Sequence, residues 1–175
     1  MIHENQTRTE SVLHVAQMMM SAARTAPKGR GRDTLFVATA SGEELMAVAH
    51  QMDLIAAKEN LPFFARDAAN LRQSIAMVLL GTAVSPLGLS YCGYCGLNTC
   101  AQKNEYSQVP CAFNLVDLGI AVGSGVSVAS GFGVDNRVMY SAGRAALELG
   151  MCGVGVTTVF AIPLSVSAKS PYFDR

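Results

Sequence analysis

Charge is scarce in this sequence: only 15% of its 175 residues are Asp, Glu, Lys or Arg, while half are hydrophobic. An average globular domain carries about a quarter charged residues. So sparse a polar surface implies more buried area than a monomer of this size normally has, and a homodimer is the expected form. The charges also cancel, 13 basic against 13 acidic, which excludes the broad basic field that nucleic-acid binding requires. The one basic cluster, Arg24, Lys28, Arg30 and Arg32, is large enough to hold a small anion but too short to follow a phosphate backbone.

Other absences narrow the chemistry. The first ten residues, MIHENQTRTE, lack the apolar core of a secretory leader, so the expected location is the reducing cytoplasm. There, cysteines serve more often as ligands or catalysts than as disulfides. No Ser/His/Asp arrangement, phosphate-cradling P-loop or dinucleotide fingerprint is present. Gly123-Ser124-Gly125 imitates the last, but it lies inside an apolar helical run instead of after a strand. His3, His14 and His50 have no metal-ligand spacing to one another. Tryptophan is missing altogether. The longest apolar stretch, residues 113–134, accordingly lacks aromatic anchors at both ends, and no charge asymmetry flanks it. Its one charge is Asp117, and glycines thin it throughout. A buried core helix is expected there, with no membrane span.

What is present is an alternation of helices and strands. Residues 9–24 place Val12, Ala16, Met19, Met20 and Ala23 on one helical stripe. Pro27 and Gly29 end it and open the basic loop. The short β-branched run 34–39 reads as a buried strand. Residues 41–59 read as a helix, with Glu43 and Glu44 in the first turn where the helix dipole favours them. A short helix at 67–72, a strand at 75–80, a cysteine-rich loop at about 88–112, the glycine-rich helix, a helix at 136–149 and a strand at 154–163 complete the order. That alternation predicts one α/β domain, an α+β sandwich over residues 1–175 with the cysteine-rich loop inserted in it. Gly119, Gly123, Ser127 and Gly131 stand four apart. They would strip one face of the central helix of side chains, for close packing either across a dimer axis or within the chain.

Four of the five cysteines fall within 20 residues, as Cys92-Gly-Tyr-Cys95-Gly-Leu-Asn-Thr-Cys100 and then Pro110-Cys111. Thiolates are soft, charged ligands, and four of them suit an iron–sulfur cluster or a zinc ion. The two-residue spacing of Cys92 and Cys95 lets one turn present two sulfurs together, and Gly93 and Gly96 free the backbone for positive φ. Structural zinc sites usually pair two short knuckles, whereas only one stands here. The uneven spacing therefore favours an iron–sulfur cluster, with zinc as the alternative. A redox dithiol at Cys92 and Cys95 would leave Cys100 and Cys111 without a task. Cys152 reads as a packing residue.

CGYCGLNTC, PCAF, DLGIAVGS and VDNRVMY, together with the opening SAARTAPKGRGRD, resemble a family of uncharacterised bacterial and archaeal proteins said to contain a ferredoxin domain. That resemblance covers most of the chain. It implies a four-cysteine iron–sulfur site, a four-iron cluster being the expected type, at Cys92, Cys95, Cys100 and Cys111, and no known reaction. A weaker likeness is to the flavin-dependent nitroreductase fold, carried by Ala22-Ala23-Arg24-Thr25-Ala26-Pro27, the strand at 35–39, Asp117 to Ser130, Ile162-Pro163 and Ser170-Pro171. It implies a mixed sheet flanked by helices, an obligate dimer, and FMN at the interface. Only Arg8 stands where that family places an arginine-rich segment, and Lys28, Gly29 and Arg30 replace small polar residues in its flavin-contacting loop. Lys28 and Arg30 are the candidate residues for a cofactor phosphate. Two functional readings result. One is a redox protein or oxidoreductase with an unidentified electron partner. The other is a structural or sensory zinc protein.

Overall fold

The computed structural model describes residues 1–173. Helix α1 (Glu4–Thr25) starts five residues ahead of the expected start at residue 9. The His3 N–H donates to Gln6 Oε1 at 3.0 Å and closes the first turn, a polar device that apolar periodicity does not reveal. A 3-10 turn (Gly29–Gly31) leads into β1 (Leu35–Ser41), and α2 (Gly42–Glu59) ends on Asn60 in the left-handed region. Pro62 occupies the first position of α3 (Pro62–Arg72), where its missing N–H costs nothing. This makes α3 a full helix where only residues 67–72 were expected. Next come β2 (Ala76–Ala83), a five-residue α4 (Cys100–Asn104), α5 (Ala112–Gly131), a two-residue β3 (Asp135–Asn136), α6 (Tyr140–Glu148) and β4 (Val156–Ser165).

The strands form one sheet in the order β1-β2-β4-β3. The α/β class with flanking helices holds, but every pairing among these strands is antiparallel where a mixed sheet was expected. Helices α2 and α3 separate β1 from β2, and the chain re-enters the sheet at the end it left, with Ser41 opposite Ala76. Strand β2 is buried on both faces. Met77 and Leu79 join the core beneath α2, α3 and α6, while Ala76, Val78 and Leu80 join the core beneath α1 and α5. This is the two-residue alternation of a strand. Each large side chain so buried contributes about 1.5–3 kcal/mol. Helix α6 lies so close to β4 that a Cβ on Gly143 would stand 2.1 Å from the Val159 carbonyl oxygen.

Helix α5 has the length and apolar composition of a membrane span, yet its inner face carries Asn114 and Asp117 beside Leu118, Ala121, Gly125 and Ala129. The expected core helix is therefore buried on one face only: Leu115, Val116 and Ile120 are exposed. Gly125 is the glycine that meets α1, 3.6 Å from the Met19 carbonyl once a Cβ is built. Gly119, Gly123 and Gly131 have open space at that point, so the small-residue face does not serve packing within the chain.

Candidate metal centre

Beyond β2, residues 84–99 form no helix or strand, and side chains elsewhere hold their backbone in place. Asn114 and Asp117 lie about one turn apart on the inner face of α5 and govern two loops. Asn114 Oδ1 accepts the Ser85 N–H at 2.9 Å. The Asp117 carboxylate accepts the Gly29 N–H at 3.0 and 3.1 Å. The basic turn that Asp117 fixes then reaches back: Arg30 Nη1 donates to the Leu87 carbonyl at 3.2 Å, and Arg32 Nη1 to that of Pro86 at 3.1 Å. Arg30 itself sits at φ 56°, a region uncommon for a residue with a side chain.

The two candidate cofactor residues are thus employed on backbone. Lys28 Nζ donates to the carbonyls of Ala23, Arg24 and Ala26 at 3.3, 2.6 and 2.8 Å, the carbonyls left over at the end of α1. Arg30 supports the approach to the cysteines. Neither role was legible in the sequence, because the acceptors are main-chain atoms, and in Arg30's case they lie 57 and 58 residues away.

Four cysteines reach one cleft from three places. Cys92 and Cys95 lie on the irregular loop, Cys100 opens α4, and Cys111 is the residue ahead of α5. Gly93 at φ 80°, between the first two, and Gly96 at φ 83°, just after them, bend the loop, and the Gly96 N–H donates to the Gly93 carbonyl at 3.0 Å. Thr99 Oγ1 accepts the Gln102 N–H at 3.1 Å while Gln102 Oε1 accepts that of Asn98 at 3.0 Å, a polar bracket that holds Cys100 at the head of its helix. Tyr94 stacks on Phe113 with ring centres 5.7 Å apart. Cys111 is buried and the other three thiols are half-buried.

The residues lining the cleft include no carboxylate and no imidazole. Besides the four thiols they are apolar or small, with one exception, Lys103. Among the described residues, no three His, Cys, Asp or Glu side chains converge as tightly as a single-ion site requires. The thiols line a common cleft without meeting at a point. In donor type and number they fit an iron–sulfur cluster. Cys152 lies apart, in the core beneath α2, α3 and α6, where burial pushes its thiol pKa up. Lys103, 2% exposed, escaped the sequence reading: nothing in the polar run AQKNEYSQ marks one lysine as internal.

A family model described as "uncharacterized protein containing a ferredoxin domain" (DUF2148) matches residues 107–175. A protein of Archaeoglobus fulgidus, itself described as uncharacterized, is 39% identical over 182 residues, spanning 100% of this chain and 97% of that protein. The chain belongs to this ferredoxin-domain family. Its fold is that of the nitroreductases. A nitroreductase with bound FMN from Desulfitobacterium hafniense superposes with a TM-score of 0.59 at 15% identity, covering 97% of this chain and 92% of that one. The FMN and NADPH-dependent nitroreductase NfnB from Sphigopyxis sp. strain HMH gives 0.60 at 12% identity, covering 91% and 81%. At such identities the likeness concerns the fold. The family description adds a redox role in general terms.

Proposed function

We propose that Cys92, Cys95, Cys100 and Cys111 hold an iron–sulfur cluster of the four-iron type, and that the protein is a redox protein handling electrons singly. The observation that carries this reading is that four cysteines from three chain segments line one cleft that holds no carboxylate or imidazole. Bound there, the cluster supplies a one-electron carrier. The chain's own residues orient and shield it. Gly93 and Gly96 shape the ligand loop, Thr99 and Gln102 fix Cys100, and Asn114 and Asp117 anchor the flanking segments. Zinc at about 2.3 Å from each sulfur would bring all four sulfurs within about 4 Å of one another. A four-iron cluster takes the same four thiolates at wider separation, so iron and sulfide content distinguishes the two.

The partner chain in this reading is a second copy. The exposed apolar face of α5 with its open glycines supports a homodimer, as does the low charge content. Flavin has weaker support, because Lys28 and Arg30 already donate to carbonyls. The deciding experiment is iron, zinc and acid-labile sulfide analysis, with a visible spectrum, on protein purified without oxygen. Brown protein with iron and sulfide that bleaches with dithionite is the expected result. Colourless protein holding one zinc per chain would overturn the redox reading and leave a structural clasp.

A further inference from the structure

Lys103 is a charge without a counterpart. Its side chain is 2% exposed and lines the cysteine cleft. Its Nζ donates to one acceptor, the Tyr106 carbonyl at 3.2 Å, although an ammonium carries three donors. Among the described residues, no carboxylate lies within ion-pairing distance of it. A buried cation is costly unless an opposite charge shares its site. The only groups along this cleft that become anionic as metal ligands are the four cysteines.

We propose that Lys103 is the internal counter-charge of the four-thiolate site, an inference that rests on the metal-binding reading above. Four thiolates around a doubly positive core, whether a zinc ion or an oxidised four-iron cluster, leave a net double negative charge. In the cluster, which unlike zinc can be reduced, one electron from the donor would make that charge triple. A fixed positive charge in the same low-dielectric cleft stabilises the thiolate-bound state over the free thiols, and the reduced state over the oxidised one. Lys103 therefore does two things: it retains the metal, and it raises the reduction potential. It acts through the metal centre and touches no substrate, so it is a positioning residue.

The test compares wild-type protein with K103M, which keeps the length of the stem, and K103R, which keeps the charge. All are full-length and purified without oxygen. K103Q replaces K103M if the latter does not fold. The readouts are metal and sulfide content, the rate of metal loss to a chelator, and the midpoint of a one-electron dithionite titration. K103M is expected to lose metal roughly tenfold faster, and K103R to restore retention. The midpoint of K103M should move to more negative potential by about a tenfold change in equilibrium, ~59 mV for one electron, with K103R close to wild type. Equal retention and equal midpoint in K103M, with a cluster present, overturn the proposal and leave the cluster reading intact. A wild-type protein that carries zinc overturns the cluster reading, and the chelator rates still decide the role of Lys103. A wild-type protein whose cysteines bind neither overturns both.

Discussion

In the sheet-centred body, β2 is sealed on both faces and its neighbours are joined by apolar contact, so that a handful of large side chains in each core carry the stability. Between Ala83 and Cys111 the means are different. Leu87 is the one fully buried large apolar residue in that stretch, and the backbone is held by individual polar bonds from Asn114, Arg30 and Arg32. Burial of area is diffuse and cooperative, so damage to the body should be global. A corner held by single bonds should fail locally and respond to whatever metal its cysteines take up. The comparison therefore predicts that the two regions can be perturbed separately.

The largest effect belongs to the body. Gly143→Ala would place a Cβ 2.1 Å from the Val159 carbonyl oxygen and 2.7 Å from its carbon. Backbone cannot yield as a flexible side chain does, so α6 must lift off β4. Loss of about 3 kcal/mol or more is expected, seen as a fall of the urea midpoint for the whole chain.

Tyr172 tests the same region by pH. The residue is 3% exposed, and its hydroxyl meets Ser74 Oγ at 2.8 Å. Burial is the main reason its pKa is pushed up to about 12, from an ordinary 10. The folded state therefore retains the proton more firmly than the unfolded chain. The stabilisation is complete below pH 10 and is lost as pH rises through 12, a change of roughly 2–3 kcal/mol. Unfolding free energies at pH 9 and pH 12 should show it, and Tyr172→Phe should flatten the slope.

Two corner variants rank next. Asp117→Ala leaves the Gly29 N–H without its carboxylate and should cost about 1–3 kcal/mol. Limited proteolysis should then cut within residues 84–99 well before the body opens. Cys95→Ser should lower metal content and open the loop to the same proteases. In metal-free protein it should shift unfolding by less than about 0.5 kcal/mol, as expected of a residue outside the core. A large loss in the metal-free comparison would show that body and corner are one cooperative unit.

These expectations also mark what the sequence discloses. Gly93 and Gly96 were legible because a tight cysteine spacing and a positive φ are both local matters. Strand β2 was legible because it is a continuous apolar run whose residues point to one core or the other, whereas the two-residue β3 fell where a helix from 136 was expected. The bonds of Lys28 and Arg30 to carbonyls were not legible, because main-chain acceptors carry no sequence signature. Lys103 was invisible because burial of a polar residue depends on what folds over it. The glycines of α5 stood out, but their direction did not: the sequence allowed packing within the chain or across an interface, and the open space at Gly119 and Gly123, against the neighbours of Gly125, removes the first for that face.

The smallest effect lies at the joint between the regions. Asp33 ends the basic turn and precedes β1, where its carboxylate accepts from Arg24 Nη1 and from the Leu35 N–H at 3.0 Å. Burial alone would raise its pKa, but the Arg24 guanidinium and the Leu35 N–H outweigh it and hold the carboxyl below its ordinary range. A depressed carboxyl gives stability that is present above the unfolded value near 3.8 and lost as pH falls through the folded value. Both side chains are partly exposed, 46% and 34%, so water and salt screen the pair and its coupling should stay below about 1 kcal/mol. A double-mutant cycle of Arg24→Ala and Asp33→Ala at pH 7, repeated at pH 3 and at high salt, measures it. A coupling that shrinks under both conditions fits a joint of the corner's kind, made of single bonds. A coupling of several kcal/mol that ignores salt would place residues 24–35 in the cooperative body instead, and the cysteine corner would then be tied to the sheet through its basic turn.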